Sequence, residues 1–289
     1  MVDASTARHL YERLEPLHAF IYFSPEANLS YAALGIEGHA GYFASRAAAM
    51  GAVGSEVVLA TFFNFQPALV RSALPAAWEA ASPAQVLEAR LDGADKGLRR
   101  MLGDLVDDPR LPEAADLARQ AAEQCRPEGR PLFAAHAGLP WPEEPHLVLF
   151  HAITLLREHR GDGHVAALTL ENLDNGEVLV THAASESMGL PESILQLTRG
   201  FSDDEWAAVK DRLRTRGILD ADGALTAEGK ELRQRIEDRT DAAALPPWAC
   251  LGDERCTRLL EVAAPFSRAV VKSGVFGGAG AATFGDDAG

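Results

Sequence analysis

The chain has 289 residues, a formal net charge of −15 at pH 7, and 47% hydrophobic against 24% charged residues. These proportions are typical of one or two globular domains and exclude a disordered chain. They also exclude a broadly basic nucleic-acid binder, since affinity for DNA depends mainly on neutralising phosphates.

No apolar run approaches the roughly 18–20 residues that a membrane span requires, so no membrane association is expected. The N-terminal segment is polar and lacks the apolar core of a secretion signal. Three scattered cysteines do not form a disulfide framework. We therefore expect a cytoplasmic protein with reduced cysteines.

Helical periodicity in the spacing of apolar residues runs through most of the chain and predicts a mainly α-helical fold. Proline and glycine separate the periodic segments. The stretch SDDEW at 202–206 predicts a helix start, because a serine cap is followed by acidic residues in the first turn. The predicted helices are 4–22, 38–50, 54–62, 66–73, 83–103, 112–125, 145–160, 163–171, 175–184, 191–196, 202–216, 226–240 and 254–272.

One β-hairpin is predicted, within residues 216–241. Ile218 and Leu219 begin a strand after Gly217, DADG forms the turn, and Leu225 begins the return. Thr226 then caps the next helix. This helix, hairpin, helix order is that of the wing of a winged-helix domain, and GILDADGALTAEGKELRQRIEDRTD resembles the wing and following helix of MarR-type regulators.

An internal repeat is also indicated. When Leu111 is aligned with Leu225, the segment 117–123 falls on 231–237. The repeat predicts two winged-helix-like domains in one chain, a pseudo-duplication. The N-terminal domain would cover 1–140 with a degenerate wing, the C-terminal domain 141–275, and a flexible tail 276–289.

The predicted recognition helices are poor in positive charge. The position at 174–184 carries Asp174 and Glu177 with no lysine or arginine, and its counterpart at 66–74 has Arg71 alone. Phosphate contacts need donors, preferably cationic ones. We therefore expect a scaffold that has lost DNA binding, and nucleic acid is not an expected partner.

Segments along nearly the whole chain resemble an uncharacterised family of actinobacterial proteins labelled helix-turn-helix or MarR-like. They are EPLHAFIYFSPEA, GYFASRAAAMG, FFNFQPALV, LREHRGDGHVAAL and the hairpin region. The resemblance implies a two-domain helical fold and supplies no established reaction.

The helix at 145–160 is apolar over most of its circumference, but His151, Thr154 and Glu158 form one polar stripe. His164 is predicted to begin the next helix, after RGDG, and to fold back toward His159. Two or three histidines with a carboxylate suit zinc, iron or copper, with haem as another cofactor. The alternative is a structural network in which Glu158 pairs with an arginine, His159 is solvated and His164 caps or packs.

A second polar stripe interrupts apolar segments elsewhere in the chain. His18 and Tyr22 are four residues apart, as are Tyr42 and Arg46, and Asn64 interrupts FFNFQP. We expect these side chains to face those of the helix at 145–160 across a pocket between the two domains. His18, Tyr22, Tyr42 and Asn64 would then bind a substrate.

The sequence therefore predicts a small-molecule enzyme, metal-dependent or acid–base, of secondary metabolism. The predicted catalytic residues are His151, Glu158 and His164, and the predicted metal ligands are His151, His159 and His164. A MarR-like, ligand-responsive transcriptional regulator is the alternative, and a non-catalytic haem- or metal-binding protein is a third. An oligomer is compatible with each.

Overall fold

The computed structural model describes residues 2–185 and 191–277, and it is mainly helical, as predicted. The α-helices are α1 (Ala4–Leu14), α2 (Pro16–Ala19), α3 (Pro25–Ala32), α4 (His39–Ala47), α5 (Ser55–Phe62), α6 (Pro67–Ala73), α7 (Ala76–Ala80), α8 (Pro83–Leu102), α9 (Arg110–Ala122), α10 (Pro131–Ala137), α11 (Pro145–Leu170), α12 (Asn175–Ala183), α13 (Glu192–Arg199), α14 (Asp203–Thr215), α15 (Ala227–Leu251) and α16 (Asp253–Lys272). Short 3-10 helices cover Phe20–Tyr22, Ala48–Met50 and Gly103–Asp107. None of the helices in the described ranges combines the length and hydropathy of a membrane span.

Buried apolar side chains form two clusters. The first apolar cluster draws on residues 2–156 and 248–276, and the second apolar cluster on residues 167–236. The long helices α11 and α15 pack against each other, and each contributes to both clusters. The predicted domain boundary at 140/141 stays a prediction, and most of the predicted tail, 278–289, lies outside the described residues.

The first predicted helix, 4–22, is divided by Pro16 into α1, α2 and a 3-10 turn. Proline has no amide hydrogen, so it starts a helix well but interrupts one that is already running. This division brings His18 and Tyr22 to the buried face of the first apolar cluster.

The predicted break at RGDG was wrong, because α11 runs without interruption through Gly161 and Gly163. The reason lies in packing against neighbouring helices. A Cβ added at Gly163 would lie 2.7 Å from Nη1 of Arg130 and 3.1 Å from Cβ of Ala243. Glycine is therefore used here for close approach rather than to end the helix.

The predicted two-stranded wing is reduced to one antiparallel bridge between Leu219 and Leu225, with no strand among the described residues. The side chain of Asp220 closes the turn by accepting hydrogen bonds from the amides of Asp222 and Ala224. Thr226, the residue after Leu225 of the bridge, is already the N-cap of α15, so the two paired segments cannot extend into longer strands. The predicted duplication has no support at this point, because Leu111 lies inside α9 whereas Leu225 lies in the bridge.

Gly229, on the first turn of α15, allows that helix to touch the turn at 218–226. A Cβ added there would lie 2.3 Å from the carbonyl oxygen of Ile218. We expect Gly229→Ala to lower the free energy of unfolding by about 1–3 kcal/mol, because the clash exceeds the gain of about 1 kcal/mol in helix propensity. Urea denaturation measures the change.

Gly161→Ala is the matched control for this substitution. It also lies inside a helix, but its added Cβ would meet its nearest neighbour, Oε2 of Glu158, at an ordinary 3.6 Å. We expect Gly161→Ala to be neutral or stabilising. Equal stability of the two variants would contradict the proposed contact.

Candidate functional site

A group of buried polar side chains surrounds Glu158 on α11. Arg46, on α4, donates from Nη2 to Oε2 of Glu158 at 2.9 Å and from Nε to Oε1 at 3.3 Å. Arg157 donates from Nη1 to both carboxylate oxygens at 3.1 Å. Burial raises the pKa of Glu158, but the charges of Arg46 and Arg157 lower it by more, so it lies well below its usual range. Glu158 is therefore a carboxylate held between two guanidinium groups.

His18, on α2, joins this group to the middle of α11. Its Nδ1 lies 2.9 Å from Oγ1 of Thr154, and its Nε2 lies 2.7 Å from the hydroxyl of Tyr22. The Thr154 hydroxyl donates to the carbonyl of Phe150, so it accepts from His18, which assigns the proton to Nδ1. Burial holds the pKa of His18 well below its usual value, so the ring is neutral and accepts a hydrogen bond from Tyr22.

Tyr42 completes the arrangement from α4. Nη1 of Arg46 donates to the hydroxyl of Tyr42 at 2.9 Å, and the rings of Tyr22 and Tyr42 lie 5.1 Å apart. Hereafter the Glu158 cluster denotes His18, Tyr22, Tyr42, Arg46, Thr154, Arg157 and Glu158. Its members come from α2, the following 3-10 turn, α4 and α11.

The structure brings together four of the residues predicted from sequence to form a site: His18, Tyr22, Tyr42 and Glu158. The expectation that Glu158 pairs with an arginine is confirmed. Asn64 lies half-buried in the turn between α5 and α6, and its side chain makes no hydrogen bond with the described residues. It is therefore not tied to the cluster.

The three predicted metal ligands do not converge. Because α11 is continuous, His151 and His164 are 13 residues apart on one helix, or about 20 Å along its axis. His151 packs edge-on against Trp141, His159 against Phe133, and Nδ1 of His164 lies 2.9 Å from Oγ1 of Thr240. Within residues 2–185 and 191–277, no group of three His, Cys, Asp or Glu side chains could hold a metal ion.

Several residues of this region were missed from sequence. Arg157 contacts Glu158 and Glu15, and no role was predicted for it. Arg90 is 4% exposed on α8, in line with the buried residues Val86 and Ala94. An arginine on the apolar stripe of an amphipathic helix was the available signal. His159, which the alternative of a structural network left in solvent, is also buried.

A second candidate site lies in the second apolar cluster, where α13 and α14 are joined by a three-residue turn. Gly200 ends α13 in the left-handed conformation, with φ of 82°, and Ser202 caps α14 with a capping box to Glu205. Leu195 and Trp206 anchor the two helices in the core. Two helices joined by a short turn containing glycine form the arrangement of a helix-turn-helix.

The helix before the turn at 218–226 is α14, not the segment 174–184 that was predicted to be the recognition helix. Unlike that segment, α14 and the residue after it carry four basic side chains, each in an ion pair. Arg212 contacts Asp174 at 2.5 Å, Arg214 contacts Asp211 at 2.8 Å and Arg216 contacts Glu177 at 2.6 Å. Lys210 pairs with Glu192. Nucleic acid was not expected as a partner because the predicted recognition helices are poor in basic side chains. That reason does not apply to α14, which carries them.

A family model described as a helix-turn-helix family matches residues 7–277. The chain belongs to this helix-turn-helix family. No match was found among curated proteins or among solved structures.

Membership of the helix-turn-helix family overturns the expectation of a metal- or haem-dependent enzyme on a scaffold without DNA binding. The matched model covers nearly the whole chain and points to a DNA-binding regulator, and nothing found supports an enzymatic activity. Membership of this family also counts against the expectation that nucleic acid is not a partner. That expectation rested on the charges of α12, whereas the basic side chains of this region lie on α14.

Proposed function

We propose that this chain is a DNA-binding transcriptional regulator whose DNA-reading unit is the pair α13–α14 with the turn at 218–226. The observation that carries the proposal is the helix-turn-helix family match over residues 7–277. In a helix-turn-helix unit the second helix enters the major groove, and in this chain that helix is α14. Such a regulator acts where the DNA lies, in keeping with the expected cytoplasmic location.

The finer part of the proposal is that the unit is winged and MarR-like. The turn at 218–226 directly follows α14 and is followed by α15, which is the order of recognition helix, wing and following helix. In place of a long wing the chain has a short turn held by Asp220. A short wing of this kind leaves the recognition helix to supply most of the contacts.

The charges on α14 determine which part of it would face phosphate. Its first turn carries Asp203 and Asp204, which are exposed and would repel phosphate at that end. Its second half carries Arg212 and Arg214, each about half exposed or less and each paired with a carboxylate. Binding would exchange these carboxylates for phosphates, so we expect modest affinity and a clear dependence on salt.

The test is fluorescence anisotropy with the DNA upstream of this chain's own gene, titrated between about 50 and 200 mM salt. We expect saturable binding, and weaker binding for Arg212→Gln and for Arg214→Gln. The slope of log affinity against log salt should become shallower by about 0.9 for each phosphate that the variant no longer neutralises. Asp203→Asn should bind more tightly, because it removes a negative charge of α14 that repels the phosphates of bound DNA.

Arg258→Gln is the matched control. Arg258 lies on α16, and its side chain is 48% exposed in a surface ion pair, as is that of Arg212. The Arg258→Gln variant should bind DNA as tightly as the unaltered protein does. The proposal fails if no saturable binding is seen at the lowest salt, or if Arg212→Gln and Arg258→Gln behave alike.

A further inference from the structure

Positive charge is in excess around the Glu158 cluster. Arg90, 4% exposed, has two terminal nitrogens, Nη1 and Nη2, that are buried and meet no hydrogen-bond acceptor among the described residues. Nε of Arg199 is also buried and likewise meets no hydrogen-bond acceptor among the described residues. Arg46, Arg90 and Arg157 lie 5.6–5.9 Å from the centroid of the Tyr22 or Tyr42 ring. Arg199 lies over Phe65, whose ring is 5.6 Å from that of Tyr42.

The acidic groups that face these arginines do not balance them. Glu158 is ionised and is shared by Arg46 and Arg157. Glu15 is a second carboxyl, which contacts Arg157, and burial raises its pKa to about 7, so near neutral pH it carries only part of a charge. The pKa of Tyr42 also reflects the excess of positive charge. Burial raises this pKa, but Arg46 and Arg199 lower it by more.

Aromatic rings contact the guanidinium groups but do not satisfy their hydrogens. Arg90 lies 5.8 Å from the centroid of the Tyr22 ring and 5.5 Å from that of Phe150. Arg199 lies 4.9 Å from that of Phe65. Cation–π contact attracts the charge, whereas each buried N–H still needs an acceptor. A buried charge without an acceptor is among the most unfavourable groups in a folded protein.

We propose that Arg90, with the surrounding arginines, binds a small oxyanion, the carboxylate or phosphate of a metabolite. The planar guanidinium of Arg90 can donate two parallel hydrogen bonds to such a group. The rings of Tyr22 and Phe150 lie beside Arg90 and make its surroundings apolar, which strengthens a charged hydrogen bond.

The position of Arg199 connects this site to the proposed function. Arg199 is the last residue of α13, so it belongs to the helix-turn-helix pair, yet its guanidinium lies over Phe65 of the first apolar cluster. An anion that draws on Arg199 would bias the position of α13 and hence the affinity for DNA. This regulatory consequence rests on the proposed function, whereas the binding of the anion does not.

The test measures thermal unfolding of the full chain with sodium phosphate, benzoate or acetate, against sodium chloride at equal ionic strength. We expect at least one oxyanion to raise Tm saturably, by roughly 5–10 °C at a hundredfold excess over Kd. Arg90→Met should abolish this rise while leaving the protein without added anion as stable as before or more so. A purely structural arginine would instead be destabilising to remove.

Arg258→Met, on the surface of α16, is the control and should keep the full response. Arg90→Lys keeps the charge but loses the planar fork of donors, so the anion should raise its Tm by less. This variant replaces Arg90→Met in the test if Arg90→Met does not fold. The proposal is overturned if no oxyanion raises Tm beyond the effect of sodium chloride, or if the Arg90 variants respond as fully as the unaltered chain. This assay contains no DNA, so it measures anion binding whether or not the chain binds DNA.

A second arm adds the anion to the DNA-binding assay. A change in affinity for DNA that is lost in Arg90→Met supports the regulatory consequence. Unchanged affinity, with anion binding intact, overturns the regulatory consequence alone.

Discussion

Glu158→Gln is expected to lower the free energy of unfolding by about 3–5 kcal/mol, which is the usual cost of removing one partner from a buried ion pair. Glu158 is 1% exposed and is the carboxylate that both Arg46 and Arg157 contact. Glutamine has nearly the same shape but no charge, so two guanidinium groups would be left without their counter-ion. Urea or guanidinium denaturation at pH 7.5 measures the loss.

Glu113→Gln provides the control for this effect. Glu113 pairs with Arg258, but both side chains are more than two-fifths exposed, and surface pairs contribute about 0–1 kcal/mol. A double variant, Glu158→Met with Arg46→Met, should recover part of the stability because one unpaired charge is removed together with its partner. A loss below 1 kcal/mol in Glu158→Gln would show that the pair is not desolvated as described.

Acidification is the second change with a large expected effect. Burial lowers the pKa of six histidines, and the values are about 3 for His136 and His164 and about 4 for His151, His159 and His182, with His18 also well below its usual value. In the unfolded chain these imidazoles titrate near 6.5. Below that pH the unfolded state therefore binds more protons, and stability is lost as pH falls from 6.5 toward 4.

Each such imidazole accounts for about 1.4 kcal/mol per pH unit in this window. Glu15 and Asp162 act in the opposite direction, since burial raises their pKa to about 7 and about 6 and the folded state then binds the extra proton. The six histidines outweigh the two carboxyl groups, so the free energy of unfolding falls on acidification. We therefore expect the protein to lose most of its stability, typically about 5–15 kcal/mol for a folded domain, between pH 6.5 and pH 5.

Denaturation midpoints at pH 7.5, 6.5 and 5.5 check this expectation. His164→Gln removes one titrating group while offering Thr240 another polar partner, so its midpoint should fall less steeply with pH than that of the unaltered chain. His9→Gln, at an exposed position, is the surface control. A midpoint that is constant or rises on acidification would contradict the burial of neutral histidines.

Local patterns identified much of the secondary structure correctly. The predicted start at 202–206 is the capping box of α14, and predicted helices such as 83–103 and 175–184 agree with α8 and α12 to within one or two residues. These signals act over one or two turns of chain, through side-chain oxygens that accept from free backbone amides. They can therefore be recognised without knowledge of the fold.

The candidate site was predictable only in part. The i, i+4 spacing correctly paired His18 with Tyr22 and Tyr42 with Arg46, and the polar stripe correctly turned Glu158 inward. Which polar residues meet across helices depended on packing. Arg46 and Glu158 are 112 residues apart, and Arg90 gave no signal beyond its place on an apolar stripe.

The amino-acid sequence by itself determined a mainly helical chain, its caps, its family and the inward face of α11, because each follows from periodicity, from short-range hydrogen bonds or from a full-length sequence match. Only the tertiary structure decided that α11 continues through two glycines, that His151 and His164 stand far apart on it, and that α14 rather than α12 precedes the bridge. Glycine can end a helix or let another helix approach, and the neighbours Arg130 and Ala243, remote in sequence, select the second role.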